Sequence, residues 1–71
     1  MNITREKHDL TRRELEVLVK MSEDLTQKEI AEQLFVSPYT VNSHAQRIYE
    51  KMDVHTGAGA VAKAFRLALI R

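Results

Sequence analysis

The sequence has no cysteine, one proline and only two glycines among its 71 residues. Without a thiol there is neither a disulfide staple nor a thiolate metal site, and a reducing compartment such as the cytoplasm is the expected setting. No apolar run approaches the roughly 18–20 residues of a membrane span, and no stretch reads as a secretory signal, so no membrane partner is expected. A domain of this size buries roughly 60% of the surface that its unfolded form exposes, which leaves no room for a deep, walled substrate cavity. No nucleophile–base pair, metal cluster or phosphate-cradling glycine loop stands out, so the chain is not expected to be an enzyme or to hold a cofactor or small-molecule ligand. Nothing in the spacing of His8, His44 and His55 brings them together as metal ligands.

A strong charge excess is missing as well: the formal net charge is +1. The distribution says more than the sum. Residues 1–36 carry six Lys or Arg against eight Asp or Glu, and residues 37–71 carry five against two. A partner bearing phosphates would be met in the second half.

What the chain does have is helix grammar, written four times. Residues 1–9 are polar, show no apolar period and read as a flexible N-terminal tail. Thr11 and Glu14 then form a capping box, in which hydroxyl and carboxylate satisfy each other's early backbone N–H groups. Val17, Leu18, Met21 and Leu25 supply one apolar face, and Asp24 is the residue expected to turn the chain. Thr26 and Glu29 repeat the box for a short second helix with Ile30, Ala31 and Leu34 inside, ending near Leu34. Phe35 and Val36 form an apolar turn. Ser37 caps a third helix, and Pro38 sits at its first position, where a missing N–H costs nothing. This helix should run to about Met52. Thr56 caps a fourth, expected from Gly57 to Ile70 and apolar over more than half of its circumference.

On a wheel of about 100° per residue, Val41, Ala45, Ile48 and Met52 of the third helix fall within about 40° and form a core stripe. The opposite side carries Tyr39, Ser43, Gln46 and Glu50, with Asn42 and Arg47 on its shoulders. Asn and Gln can pair bidentately with adenine, and Ser suits several bases. A solvated helix face is the plainer explanation, but such faces favour Glu and Lys over the Asn, Ser and Gln found here. A short capped helix, a tight turn and a longer capped helix is also the helix-turn-helix plan. The free N–H groups at Thr26-Gln27-Lys28, together with the Lys28 ammonium, make a phosphate clamp, unless Lys28 is an ordinary surface lysine.

Leu10-Thr11-x-Arg13-Glu14-x-x-Val17-Leu18, Lys28-Glu29-Ile30-Ala31-x-x-Leu34-x-Val36-Ser37-x-x-Thr40-Val41-x-x-His44, Lys51-Met52 and Ala60-Val61 closely resemble the LuxR/GerE-type helix-turn-helix of bacterial transcription regulators. The resemblance covers about Leu10 to Ile70. It implies an all-α, four-helix domain over residues 10–71 with a central helix-turn-helix. The expected function is sequence-specific binding of double-stranded DNA through the third helix, with dimerisation through the fourth. Asn42, Ser43 and Gln46 match base-reading positions. Lys28, Tyr39, Thr40, Arg47 and Lys51 match phosphate-touching ones, which the two caps Thr26 and Ser37 join. Ala58, Val61, Ala62 and Phe65 are the expected homodimer surface, although core burial is an alternative for Val61 and Phe65. His44, about 60° off the core stripe, reads as half structural. RNA polymerase is a further candidate partner.

The chain departs from that pattern at five positions. Arg12 replaces a frequent proline. Asp24 and Asp53 stand where glycine is common and would need a left-handed backbone. Gly57 and Gly59 stand where Arg and an acidic residue are common; two glycines should weaken the start of the fourth helix by roughly 1 kcal/mol each. A competing reading is a helical module that binds a protein through the apolar fourth helix and leaves the third unused.

Overall fold

The computed structural model describes residues 9–70, and these form four helices. Residues 1–8 of the expected tail, His8 among them, lie outside the described residues. Helix α1 spans Arg12–Ser22, α2 Gln27–Leu34, α3 Pro38–Met52 and α4 Gly57–Arg66.

Each helix begins where its cap chemistry dictates. Thr11 Oγ1 accepts from the Glu14 backbone N–H at 3.1 Å, and the Glu14 carboxylate accepts from the Thr11 N–H at 3.0 Å. Thr26 and Glu29 repeat the exchange at 3.1 and 2.8 Å. Ser37 Oγ accepts from Thr40 N–H at 3.1 Å, and Thr56 Oγ1 from Gly59 N–H at 2.9 Å. These bonds satisfy backbone donors that a helix N-terminus leaves orphaned.

Helix α3 is the axle of the fold and packs against each of the other three; α1 also meets α2 and α4. Its stripe of Val41, Ala45, Ile48 and Met52 is buried, and Val41, Ile48 and Met52 form one core cluster with Val17 and Leu18 of α1, Ile30 and Ala31 of α2, and Ala60 and Ala64 of α4. Two alanines on α4 let its backbone come close to the axle. The α3 C-terminus is tied to α4 by a cation: Lys63 Nζ donates to the Met52 carbonyl at 2.6 Å, where the helix dipole favours positive charge.

Helix α4 is shorter than the expected Gly57–Ile70 and stops at Arg66. Ala68 takes a left-handed backbone with φ 60°, and Leu69 N–H turns back to the Ala64 carbonyl at 2.9 Å. The turn folds the remaining apolar residues onto the core, where Ile70 is buried. The greasy run at residues 67–70 is therefore a closing flap and not a fourth turn of helix.

Asp24 and Asp53 have φ of 63° and 57°, the left-handed backbone expected of them. The glycines are used elsewhere: neither has a positive φ. A Cβ on Gly57 would lie 3.1 Å from Met21 Cε and 3.3 Å from the Tyr49 hydroxyl, tight contacts with the ends of two flexible side chains. The left-handed caps are thus left to residues that bear a side-chain penalty. Asp53→Gly should stabilise the domain by about 1 kcal/mol, because it removes both that penalty and a carboxylate from the negative end of α3. The expected reading is a Tm raised by about 4–8 °C in a circular-dichroism melt. An unchanged or lowered Tm would show that the Asp53 side chain contributes more than its backbone costs.

Candidate nucleic-acid interface

The N-terminus of α2 and the outer face of α3 meet at one point. Gln27, the first residue of α2, donates through Nε2 to Asn42 Oδ1 on α3 at 3.4 Å. This contact sets Lys28 and the capped N-terminus of α2 beside the face that carries Asn42. Asn42 and Gln46 are exposed and Ser43 is half-buried. Arg47 lies exposed on the shoulder of the same face. The wheel expectation holds for the apolar stripe, which is buried, and for Asn42, Gln46 and Arg47, which are open; Ser43 is only half exposed.

The N-terminus of α3 adds hydroxyls. Ser37 Oγ and Thr40 Oγ1 are 3.0 Å apart, and Tyr39 beside them is 78% exposed. Thr26 uses an oxygen lone pair for capping, which leaves its hydroxyl proton able to donate outward; Ser37 and Thr40 share one hydroxyl hydrogen bond, so one of their two protons is left to donate. Lys28 is exposed.

Lys51 stands apart from the other candidate phosphate residues. Its ammonium donates to Glu14 Oε1 at 2.8 Å and to the Asp9 carbonyl at 3.0 Å, across 37 and 42 residues of sequence. Glu14 is 2% exposed, a carboxylate set into the core beneath α1. Burial by itself pushes this carboxyl up. The Lys51 hydrogen bond, the Thr11 backbone N–H and the charges of Lys51 and His44 outweigh that and hold it below the usual glutamate range. The phosphate expectation did not include this structural anchorage. His44 is half-buried between the two faces of α3, and its Nδ1 is buried with no hydrogen-bond partner among the described residues. It thus has the half-structural setting expected of it. Among the described residues no group of three His, Cys, Asp or Glu side chains could hold a metal ion.

Ala58, Val61 and Ala62 of α4 help to line an open groove of about 560 Å³, together with Met21, Tyr49 and Gln27, the residue that also meets Asn42. Phe65, half exposed at 49%, lies beyond it on the same helix. Val61 is partly buried and packs on the core, while Phe65 does not join it. Core burial therefore accounts for part of Val61 and for little of Phe65. No helix among the described residues is long and apolar enough to cross a membrane.

Two of these features were not anticipated from the sequence: Glu14 as the buried partner of Lys51, and Gln27 as the link from α2 to Asn42. Glu14 carried a signal of a kind, since a carboxylate within an apolar period needs a cation; which cation is a tertiary matter.

Comparison with known proteins agrees with the geometry. Residues 8–64 match the model of a family described as bacterial regulatory proteins, luxR family. The chain is 44% identical over 61 residues to the probable transcriptional regulatory protein NarL of Mycobacterium tuberculosis, which covers 86% of this chain and 28% of that protein. It is 43% identical over 61 residues to the transcriptional regulatory protein LiaR of Bacillus subtilis, covering 29% of it. It is 40% identical over 58 residues to the spore germination protein GerE of Bacillus subtilis, and there the match takes in 82% of this chain and 78% of the relative. The chain thus spans less than a third of the two longer regulators and most of the short one. With its capped helix pair, its core stripe and this match over most of its length, the chain belongs to the luxR family of bacterial regulatory proteins.

Proposed function

We propose that this chain is a domain that binds double-stranded DNA by sequence and so regulates bacterial transcription, with α3 in the major groove. The observation that supports it best is the Gln27–Asn42 contact, which joins a capped helix N-terminus to an exposed amide-rich face. A helix N-terminus grips phosphate through free N–H groups and its dipole, and amides on the neighbouring helix read base edges. Lys28, Tyr39, Thr40 and Arg47 hold phosphates, with Thr26 and Ser37 donating from the caps. Asn42, Ser43 and Gln46 read bases. Lys51, fastened to Glu14, works from behind the face as a strut.

The names of the relatives support a regulatory role, and the whole protein's activity belongs to this proposal. The domain works in the bacterial cytoplasm, as a homodimer through Ala58, Val61, Ala62 and Phe65 of α4. RNA polymerase is a further partner. It is a binding domain and catalyses no reaction, and it needs no cofactor.

The open groove beside Ala58, Val61 and Ala62 keeps a second reading in play, a module that binds protein through α4. One experiment separates the two: selection of bound duplexes from a random DNA pool, followed by a salt titration on the winner. The DNA reading expects an enriched two-fold sequence with half-sites about 34–36 Å apart. It also expects affinity that falls steeply with salt as counterions are released. A pool that shows no enrichment, with no salt-sensitive binding, would leave the protein-binding module.

A further inference from the structure

Four positions that close helices take a left-handed backbone: Asp24, Phe35, Asp53 and Ala68. Aspartate tolerates this region through its short polar side chain, and alanine carries only a methyl. Phe35 is the exception. Its φ is 59°, and the turn is closed by Phe35 N–H to the Glu32 carbonyl and Val36 N–H to the Ala31 carbonyl at 3.0 Å. That arrangement directs Val36 onto the core and turns Phe35 outward, where it is 93% exposed. The ring therefore accepts an unfavourable backbone and gains little packing among the described residues. A bulky residue held in a sparsely populated conformation without internal compensation points to a use outside the fold.

Its position indicates what it meets. Among the described residues the two most exposed large hydrophobic side chains are Phe35 at 93% and Tyr39 at 78%, and they flank Ser37, the cap of α3. No acidic residue occurs from Gln33 to Tyr49, although the chain carries ten; the nearest in sequence to Phe35 is Glu32, one turn back on α2. An exposed aromatic pair in an acid-free stretch, at the end of the helix that carries the hydroxyl donors, suits a polyanion with apolar edges. We infer that the Phe35 ring packs on the hydrocarbon surface of the DNA duplex beside the backbone held by α3, against deoxyribose or a thymine methyl group. This rests on the DNA-binding reading and adds an apolar contact to its polar ones.

The test uses Phe35→Asn and Phe35→Gly, both of which accept the left-handed turn, and Phe35→Tyr, which keeps the ring. Each is titrated with the duplex selected from the random pool. The Asn and Gly variants should melt no lower than the parent, so that weakened binding cannot be ascribed to unfolding. They should bind about tenfold more weakly, as expected from losing part of a phenylalanine's transfer free energy, with an unchanged salt slope because no phosphate contact is lost. The Tyr variant should stay within about twofold of the parent. Replacing thymines of the duplex by deoxyuridine assigns the surface: weaker parental binding that the Asn variant does not share identifies the methyl, and no change identifies deoxyribose. Parental affinity in the Asn and Gly variants overturns the inference and hands the ring to a protein surface. A parent that binds no duplex at low salt instead overturns the DNA reading itself, and the two failures are distinguishable.

Discussion

Lys51→Met should destabilise the domain by about 3 kcal/mol, a large share of the roughly 5–15 kcal/mol that holds a typical domain folded. The reason lies with its partner. Glu14 is 2% exposed, and its carboxylate is held by Lys51 at 2.8 Å and by the Thr11 N–H at 3.0 Å. Removing the ammonium leaves a buried charge with one remaining donor, and an uncompensated buried charge costs far more than the pair was worth. Glu14→Gln should be milder, about 1 kcal/mol, because glutamine still completes the capping box and accepts from Lys51. The double variant Glu14→Gln with Lys51→Met should be more stable than Lys51→Met alone, since nothing charged is then stranded. Strict additivity in urea melts would show that the two side chains do not act as a pair.

The same pair sets a pH dependence. The folded state holds the Glu14 carboxyl below its ordinary value, so the unfolded chain binds the proton more readily. The contribution of Glu14 is fully present above the ordinary glutamate value of about 4.3 and is lost as pH falls through the lower folded value. The slope of stability against pH in that acid window should flatten in Glu14→Gln. A parental slope in the variant would assign acid sensitivity to other carboxylates. The Lys51→Met variant separates two roles for Lys51. A direct phosphate contact would lower the salt slope of DNA binding by about one when lost. A strut leaves the slope alone and moves the Tm.

Local chemistry made most of the fold legible. Thr11 with Glu14, Thr26 with Glu29, Ser37 before Pro38, and Thr56 all start helices, because a cap is decided by residues within one turn of each other. The α3 stripe was legible because a 3.6-residue period leaves one way to bury it. What escaped depended on distance or on shape. The end of α4 did, since Leu67, Leu69 and Ile70 look helical by composition while Ala68 turns the chain back. The Lys51–Glu14 bond did, because it spans 37 residues. Gly57 lies against the ends of Met21 and Tyr49, a proximity that only the packed helices define. For the site, helix periodicity placed Asn42, Gln46 and Arg47 on an open face. The neighbourhood of α2 needed Gln27 to be seen against Asn42.

Lys28→Ala and Gln46→Ala should weaken DNA binding in two different ways. Both residues are exposed, so neither change removes core packing. Lys28 sits in the first turn of α2, where the dipole disfavours a cation, and alanine there should leave the Tm unchanged or raise it slightly. A lysine that the helix does not favour suits a partner of opposite charge. Its loss should weaken the selected and a random duplex alike and reduce the salt slope by about one. Gln46 lies on the outer face of α3 and can offer both a donor and an acceptor to one base edge. Gln46→Ala should cost about 1–3 kcal/mol on the selected duplex, little on the random one, and nothing in salt slope. A second round of pool selection with this variant should relax preference at one position in each half-site. Equal losses on both duplexes for both variants would mean that α3 grips DNA without reading it, and the recognition role would pass from its amide face to the shape of the duplex.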